Sequence, residues 1–181
     1  MQDNIIIDYI NNEIENEFID FKMKIYDWSN TKSKADFLLD VISLSNSNAN
    51  GDKYIITGVK VKPDGERIIK GIDKTSAEDS AVYQELVTEN IEPSISIEFK
   101  ILSYNNQDFG IFRIFGCNDR PYLLKKKYGD YESGYIKVRR GSRNTNISRY
   151  IIDSIYKEKI MLTSSQFKIS GIIDGKISDD K

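Results

Sequence analysis

Two alternating apolar stretches, 95–102 and 109–115, flank the turn-prone segment Tyr104-Asn105-Asn106-Gln107-Asp108, and this pattern constrains the fold more than any other. Strand side chains point alternately to opposite faces, so such a pair reads as an antiparallel hairpin with a buried face. A second hairpin is predicted where Pro63-Asp64-Gly65 separates 54–61 from 66–70. Helical spacing surrounds these hairpins. Ile6, Ile7, Ile10 and Ile14 recur at i, i+3/i+4 over 4–16, and Phe37, Leu38, Val41, Ile42 and Leu44 do so behind a predicted N-cap at Ser33. Ser76-Ala77-Glu78-Asp79 has the form of a capping box for a helix ending near Asn90, and Ile151, Ile152 and Ile155 are the expected buried stripe of a helix over 147–160. Strands are predicted at 53–59, at 134–139 and at 18–23, the last with Ile19, Phe21 and Met23 on one face and Phe18, Asp20 and Lys22 on the other. Helices mixed with hairpins, in place of alternating βαβ units, predict an α+β fold with a mixed, largely antiparallel sheet and about four packed helices.

At 181 residues the chain suits one domain, expected over 1–162, with 163–181 as a C-terminal extension or linker. Apolar runs such as Ile5-Ile6-Ile7 and Tyr54-Ile55-Ile56 are too short to span a bilayer, and the acidic start Met1-Gln2-Asp3 is unlike a signal peptide. No membrane partner and a cytoplasmic location are therefore expected. The single cysteine, Cys117, supplies no disulfide framework and reads as a small buried hydrophobe. Histidine is absent, which removes Ser-His-Asp and Cys-His triads and imidazole zinc sites. Any catalysis must use carboxylates, lysine, tyrosine or a hard metal held by oxygen.

The net charge of -2 is unevenly spread. Residues 1–100 carry 11 Lys/Arg against 19 Asp/Glu, while 101–181 carry 15 against 9. Within 120–149 there are nine basic residues and two acids. Phosphate attraction is screened beyond about 10 Å, so this local excess matters more than the total. Arg120, Lys125, Lys126, Lys127, Lys137, Arg139, Arg140, Arg143 and Arg149 are candidate phosphate contacts. Tyr122, Tyr128, Tyr131 and Tyr135 lie among them and could stack on unpaired bases or simply pack a sheet. Arg139 and Arg140 cannot share one face of a strand, so at most one reaches a groove. Gly141-Ser142 would let backbone N–H groups approach a phosphate. Asn46 and Ser47 could be site residues at the loop before the strand, but such residues there are more often helix-ending and turn residues.

Several segments, in order, resemble one family. Glu15 to Lys22 (Glu-Asn-Glu-Phe-Ile-Asp-Phe-Lys) resembles the acidic strand that opens the Schlafen-type AlbA-like domain, with Asp20-Phe21-Lys22 in place of its Glu-Phe-Lys triplet. The helix Phe37-Leu38-Leu39-Asp40-Val41-Ile42-Ser43-Leu44 with the loop Ser45-Asn46-Ser47, and the strand Tyr54-Ile55-Ile56-Thr57-Gly58-Val59, are similar to the elements that follow there. Arg120-Pro121-Tyr122 and Tyr135-Ile136-Lys137-Val138-Arg139-Arg140-Gly141-Ser142 resemble its closing Pro-Tyr and Arg-x-Gly-Ser signatures. The resemblance covers 10–145 and implies a nucleic-acid-binding module of bacterial regulators and defence proteins. Animal members include proteins that cut transfer RNA with three metal-binding carboxylates. Glu15 and Asp20 match the first two; the third position falls in Lys60-Val61-Lys62, which has no acid, and Asp64 is displaced from it.

The expected function is RNA or DNA binding, with no cofactor needed for binding, in a bacterial regulatory or anti-phage defence protein. Lys22, Arg120, Lys125, Lys126, Lys127, Arg139, Arg140 and Arg143 would meet phosphates, and Tyr122 and Tyr135 would lie near bases or sugars. One alternative is a Mg²⁺- or Mn²⁺-dependent ribonuclease using Glu15, Asp20 and a third ligand from Asp64 or Asp52. Another is an interaction module that forms a homodimer or docks onto a larger effector.

Overall fold

The computed structural model describes residues 2–173. The first of two compact units runs to Asn146. Its centre is a four-stranded sheet built from β1 (Ile19–Lys22), β2 (Lys53–Thr57), β6 (Ser96–Tyr104) and β7 (Gln107–Phe115), in the order β1-β2-β7-β6. Only β1 and β2 run parallel; Phe21 pairs with Ile56, Ile55 with Phe112, and Phe112 with Phe99. Short hairpins and ladders surround the sheet: β3 (Val59–Val61) with β4 (Arg67–Ile69), β5 (Ile91–Glu92) with β8 (Leu123–Leu124), and β9 (Lys137–Arg140) with β10 (Arg143–Asn146). With helices α1 (Asp3–Asn12), α2 (Thr31–Ser45) and α3 (Ser80–Asn90), the class is α+β, as the sequence pattern predicts. The second unit contains α4 (Arg149–Ile173). The expected extension from 163 is helical as far as Ile173, and 174–181 lie outside the described residues. No helix among the described residues is long and apolar enough to cross a membrane.

The period-2 pattern of β1 works as expected. Ile19 and Phe21 join Ile6 and Ile10 of α1 in one apolar cluster with Ile56, Phe109 and Ile111. Asp20 and Lys22 project to the other face, the side of α2. There Phe37, Leu38, Val41 and Ile42 of α2 pack with Tyr83 of α3, Phe99, Phe112 and Tyr122 in a second cluster. Helix α2 is buried almost throughout its second half, from Phe37 to Ser45, so it forms the core of the unit.

Several boundaries differ from the sequence reading, each for a visible reason. Helix α1 stops at Asn12, short of Asn16, because Glu13 turns extended and Arg67 takes the carbonyls of Ile10 and Glu13. Asn30, not Ser33, caps α2, accepting from the N–H groups of Lys32 and Ser33; Ser33 Oγ accepts from Asp27 N at 2.8 Å. Asp79 caps α3 through Ala81 N, while Ser76 ends a separate 3-10 turn. The expected strand over 53–59 breaks at Gly58, whose φ of +100° needs a residue without Cβ. A Cβ there would also meet Gly71 Cα at 2.8 Å, so the chain crosses itself backbone to backbone. β6 and β7 join through Asn105 and Asn106, both at positive φ, the two-residue turn whose twist matches its strands. Edge strand β6 is closed over part of its length. Ser80 Oγ and Gln84 Oε1 of α3 accept from Phe99 N and Ile97 N.

Candidate nucleic-acid interface

The β9–β10 hairpin places two consecutive arginines in opposite surroundings. Antiparallel pairing sets Arg139 across from Asn144 and Arg140 across from Arg143, around the turn Gly141-Ser142. Alternation sends Arg139 inward and Arg140 outward. Arg139 is 3 % exposed, and its guanidinium donates to Asn16 O at 3.0 Å, Ile19 O at 3.3 Å and Asn144 Oδ1 at 3.1 Å. It also pairs with Asp20 Oδ1 at 2.9 Å and reaches Glu15 Oε2 at 3.5 Å. A planar five-donor group suits such a meeting of carbonyls and carboxylates. The hairpin is thereby fastened to the start of β1.

A second fastening runs through Asp40 of α2. This buried carboxylate accepts from Tyr26 OH at 2.8 Å and Asn144 Nδ2 at 2.6 Å, and pairs with Lys22 Nζ at 2.8 Å. Lys22 Nζ also lies 2.8 Å from Asp20 Oδ2, so one ammonium bridges two acids. Burial pulls the Lys22 pKa down, but Asp40 and Asp20 outweigh it and hold the group above its ordinary 10.5. Burial pushes Asp40 up despite the opposing pull of Lys22. Burial and then the charge of Asp20 push Glu15 up, against the pull of Arg139. Removing one member of such a set leaves an uncompensated charge, which costs far more than a surface pair is worth. A cleft of about 420 Å³ opens beside this network, lined by Lys22, Lys24, Lys137, Asn144, Asp36 and Asp40 among others.

The carboxylates expected to hold a metal are engaged otherwise. Asp20 has one oxygen on Arg139 and the other beside Lys22, and Glu15 faces Arg139. A divalent cation there would have to displace two fixed positive charges. Asp64 sits exposed at the turn between β3 and β4, where its Oδ1 accepts from Glu66 N at 3.0 Å, and Asp52 pairs with Arg113 Nε at 2.7 Å. Among the described residues no three acidic or cysteine side chains group as a metal site. The residues present do not fit the metal that the resemblance implies.

The basic and aromatic candidates divide similarly. Arg140, Arg143, Lys125, Lys126 and Lys127 are exposed. Lys126 pairs with Glu89 at 3.7 Å and Lys127 pairs with Glu132. Arg120 is turned toward the loop after α2, donating to Ser47 O at 2.7 Å. Tyr122 is completely buried in the apolar core, its OH donating to Gly116 O and accepting from Asp119 N, so its ring meets no ligand in this fold. Its position among cations in sequence concealed that. Tyr135 packs at a tilt against Tyr131, ring centroids 4.8 Å apart, and Lys137 Nζ stands 5.7 Å over its ring. The sequence alone points to no role for Asp40, Asn144 or Asn16, the partners that hold the hairpin, and gives Asn46 as a helix-ending residue or a site residue of the following loop. The buried amide of Asn46 donates to Tyr122 O and Lys137 O and accepts from Tyr122 N, joining α2 to β8 and β9.

Comparison with known proteins finds a matching family and a similar solved structure. The family described as Schlafen, AlbA_2 matches residues 15–148, which contain every residue of the network above. The solved N-terminal domain of a putative ATP-dependent DNA helicase RecG-related protein from Nitrosomonas europaea is similar over 82 % of this chain and 93 % of that one, at 14 % identity and a TM-score of 0.41. No curated protein matches the chain.

Proposed function

Because the chain belongs to the Schlafen, AlbA_2 family, we propose that it binds nucleic acid through the phosphate backbone, with Arg140 and Arg143 at the hairpin as principal contacts. One observation carries this reading. The two arginines stand directly opposite each other across β9 and β10, exposed, and neither forms an ion pair among the described residues. Like charges in facing positions cost on the order of 0.2–1 kcal/mol, and a bridging anion offsets that cost. The network behind them fixes the backbone of the hairpin, so the ordering cost of binding falls on the arginine side chains and not on the backbone. Gly141 has open space around its α-carbon, which leaves room for a phosphate at the turn.

A phosphate track of this kind reads charge and spacing, and it serves RNA and DNA alike. Tyr122 in the core and Tyr131 against Tyr135 leave backbone contact, more than base stacking, as the source of affinity. The ion pairs that occupy Asp20 support a reading of binding without cleavage. The test is affinity for a labelled oligonucleotide over a range of salt. Arg140→Ala with Arg143→Ala is expected to lower the log–log slope by about two units. An unchanged slope, or no binding at low salt, overturns the reading.

A further inference from the structure

A second cleft, of about 510 Å³, opens between the segment 23–29 that follows β1 and the segment 71–78 that precedes α3. Met23, Ile25, Trp28 and Ile72 give it an apolar lining, and each of them is only half-buried. Asp27, Asp73 and Glu78 also line it, all exposed, against a single ammonium, Lys24. Two further cations stand near. Lys74 pairs with Asp108 at 3.7 Å, and Lys34 lies over the Trp28 ring at 5.5 Å. With these two and Asp108 counted, carboxylates still outnumber ammoniums.

The two aspartates are oriented by their own turns. Asp27 Oδ1 accepts from Ser29 N at 3.0 Å and Ser29 Oγ at 2.7 Å, and Asp73 Oδ1 accepts from Thr75 N at 2.9 Å and Thr75 Oγ1 at 2.7 Å. These bonds, the hydroxyls first, hold both carboxyls below their ordinary value, so both are charged at neutral pH. The second oxygen of each, and the carboxylate of Glu78, have no partner among the described residues. The two walls differ in their backbone. Gly71 N donates to Gly58 O at 3.0 Å and Ile72 N to Asp108 O at 2.7 Å, which pins one wall. On the other, no backbone N–H or C=O of Met23, Lys24, Ile25 or Tyr26 has a hydrogen-bond partner among the described residues. Free backbone groups beside an apolar cleft are what an extended chain pairs with when it binds.

We propose that this cleft docks an extended segment of a partner protein that carries Lys or Arg beside aliphatic side chains. The aliphatic side chains cover Met23, Ile25, Trp28 and Ile72, and the cations meet the free oxygens of Asp27, Asp73 and Glu78. The backbone of the segment pairs along 23–26. The same carboxylates repel phosphate, so the site differs in chemistry from the hairpin and does not rest on the nucleic-acid reading.

Trp28 is the only tryptophan of the chain, so its emission reports on the cleft directly. The full chain is titrated with the peptide Leu-Arg-Leu-Lys-Leu, blocked at both ends, and with Leu-Glu-Leu-Glu-Leu and Gly-Arg-Gly-Lys-Gly as controls. A saturable shift of the emission is expected with the first, none with the second, and binding weaker by about fivefold or more with the third. Asp27→Asn with Asp73→Asn keeps both Oδ1 acceptors of the turns and removes both charges. Affinity for the basic peptide should then fall by about fivefold or more. Glu78→Gln, which lies outside both turns, serves if the double variant does not fold. The absence of a saturable shift, equal binding of the acidic peptide, or folded variants that bind as wild type does would each overturn the proposal. An emission change that follows the concentration of the chain without any peptide would give the cleft to a second copy, and would overturn it too.

Discussion

Arg139 and Arg140 are consecutive on β9, yet the first is 3 % exposed inside an ion-pair network and the second stands in solvent opposite Arg143. The inner region, Arg139 with Asp20, Lys22, Asp40 and Asn144, satisfies its charges internally and ties three chain segments together. The outer region, Arg140 with Arg143, satisfies nothing internally. Basic residues in one short segment can thus have opposite surroundings: one group commits its charge to the fold, the other leaves it exposed to solvent. Counting cations over 120–149 merges the two; the register of one hairpin separates them.

Removing the inner arginine is the most severe challenge to this division. Arg139→Met leaves Asp20 and Glu15 short of a cation and the carbonyls of Asn16 and Ile19 without donors, so urea denaturation should show a loss of about 3–5 kcal/mol. Nucleic-acid affinity should fall as well, although the outer arginines are intact. A variant that keeps wild-type stability would show that the inner region does not hold the fold together.

The next largest effect belongs to Lys22→Met, about 2 kcal/mol near neutral pH, less than for Arg139 because a third of the Lys22 side chain is exposed. Its pH dependence isolates the ion pairs from packing. The folded-state pKa of Lys22 lies above 10.5, so its stabilising contribution is complete below 10.5 and is lost as pH rises through the folded value. Above 10.5 the gap in stability between wild type and Lys22→Met should therefore narrow; a gap that widens contradicts the double ion pair.

Substituting the outer region should invert the pattern. Arg140→Ala with Arg143→Ala is expected to cost no stability, and to gain up to about 1 kcal/mol by removing facing like charges. The salt slope drops at the same time. Smallest of all, Asp64→Asn belongs to neither region. Its turn role survives in asparagine, so thermal unfolding and binding should both stay within about 0.5 kcal/mol of wild type.

The features readable from the sequence are the local ones. Alternation at 18–23 separates Ile19 and Phe21 from Asp20 and Lys22, and alternation at Arg139-Arg140 requires the two to part. The 95–102 and 109–115 pattern predicts β6 and β7, though the turn is narrower than the five polar-flanked positions suggest. What stays hidden depends on partners far apart in the chain. Asn46 meets Tyr122 76 positions away, and Asn144 meets Asp40 104 positions away, distances at which periodicity carries no signal. Tyr122 misleads for the same reason: Arg120 and Lys125-Lys126-Lys127 stand near it in sequence, whereas its neighbours in space are apolar. β10 escapes prediction because Arg143-Asn144-Thr145-Asn146 has no apolar alternation, and it is a strand only through its pairing with β9.

The bond from Arg139 to Asn16 closes a span of 123 residues, and its bond to Ile19 closes one of 120. Such contacts can form only once the entropy of closing long loops has been met. On the ribosome, Asp20, Lys22 and Asp40 emerge long before the arginine that completes their set. Until it arrives, the hairpin has no fastening to the start of β1, and the facing arginines have no fixed mount. On the proposed function, phosphate binding by the hairpin would thus be acquired late, and it would distinguish the folded chain from a nascent or partly unfolded one.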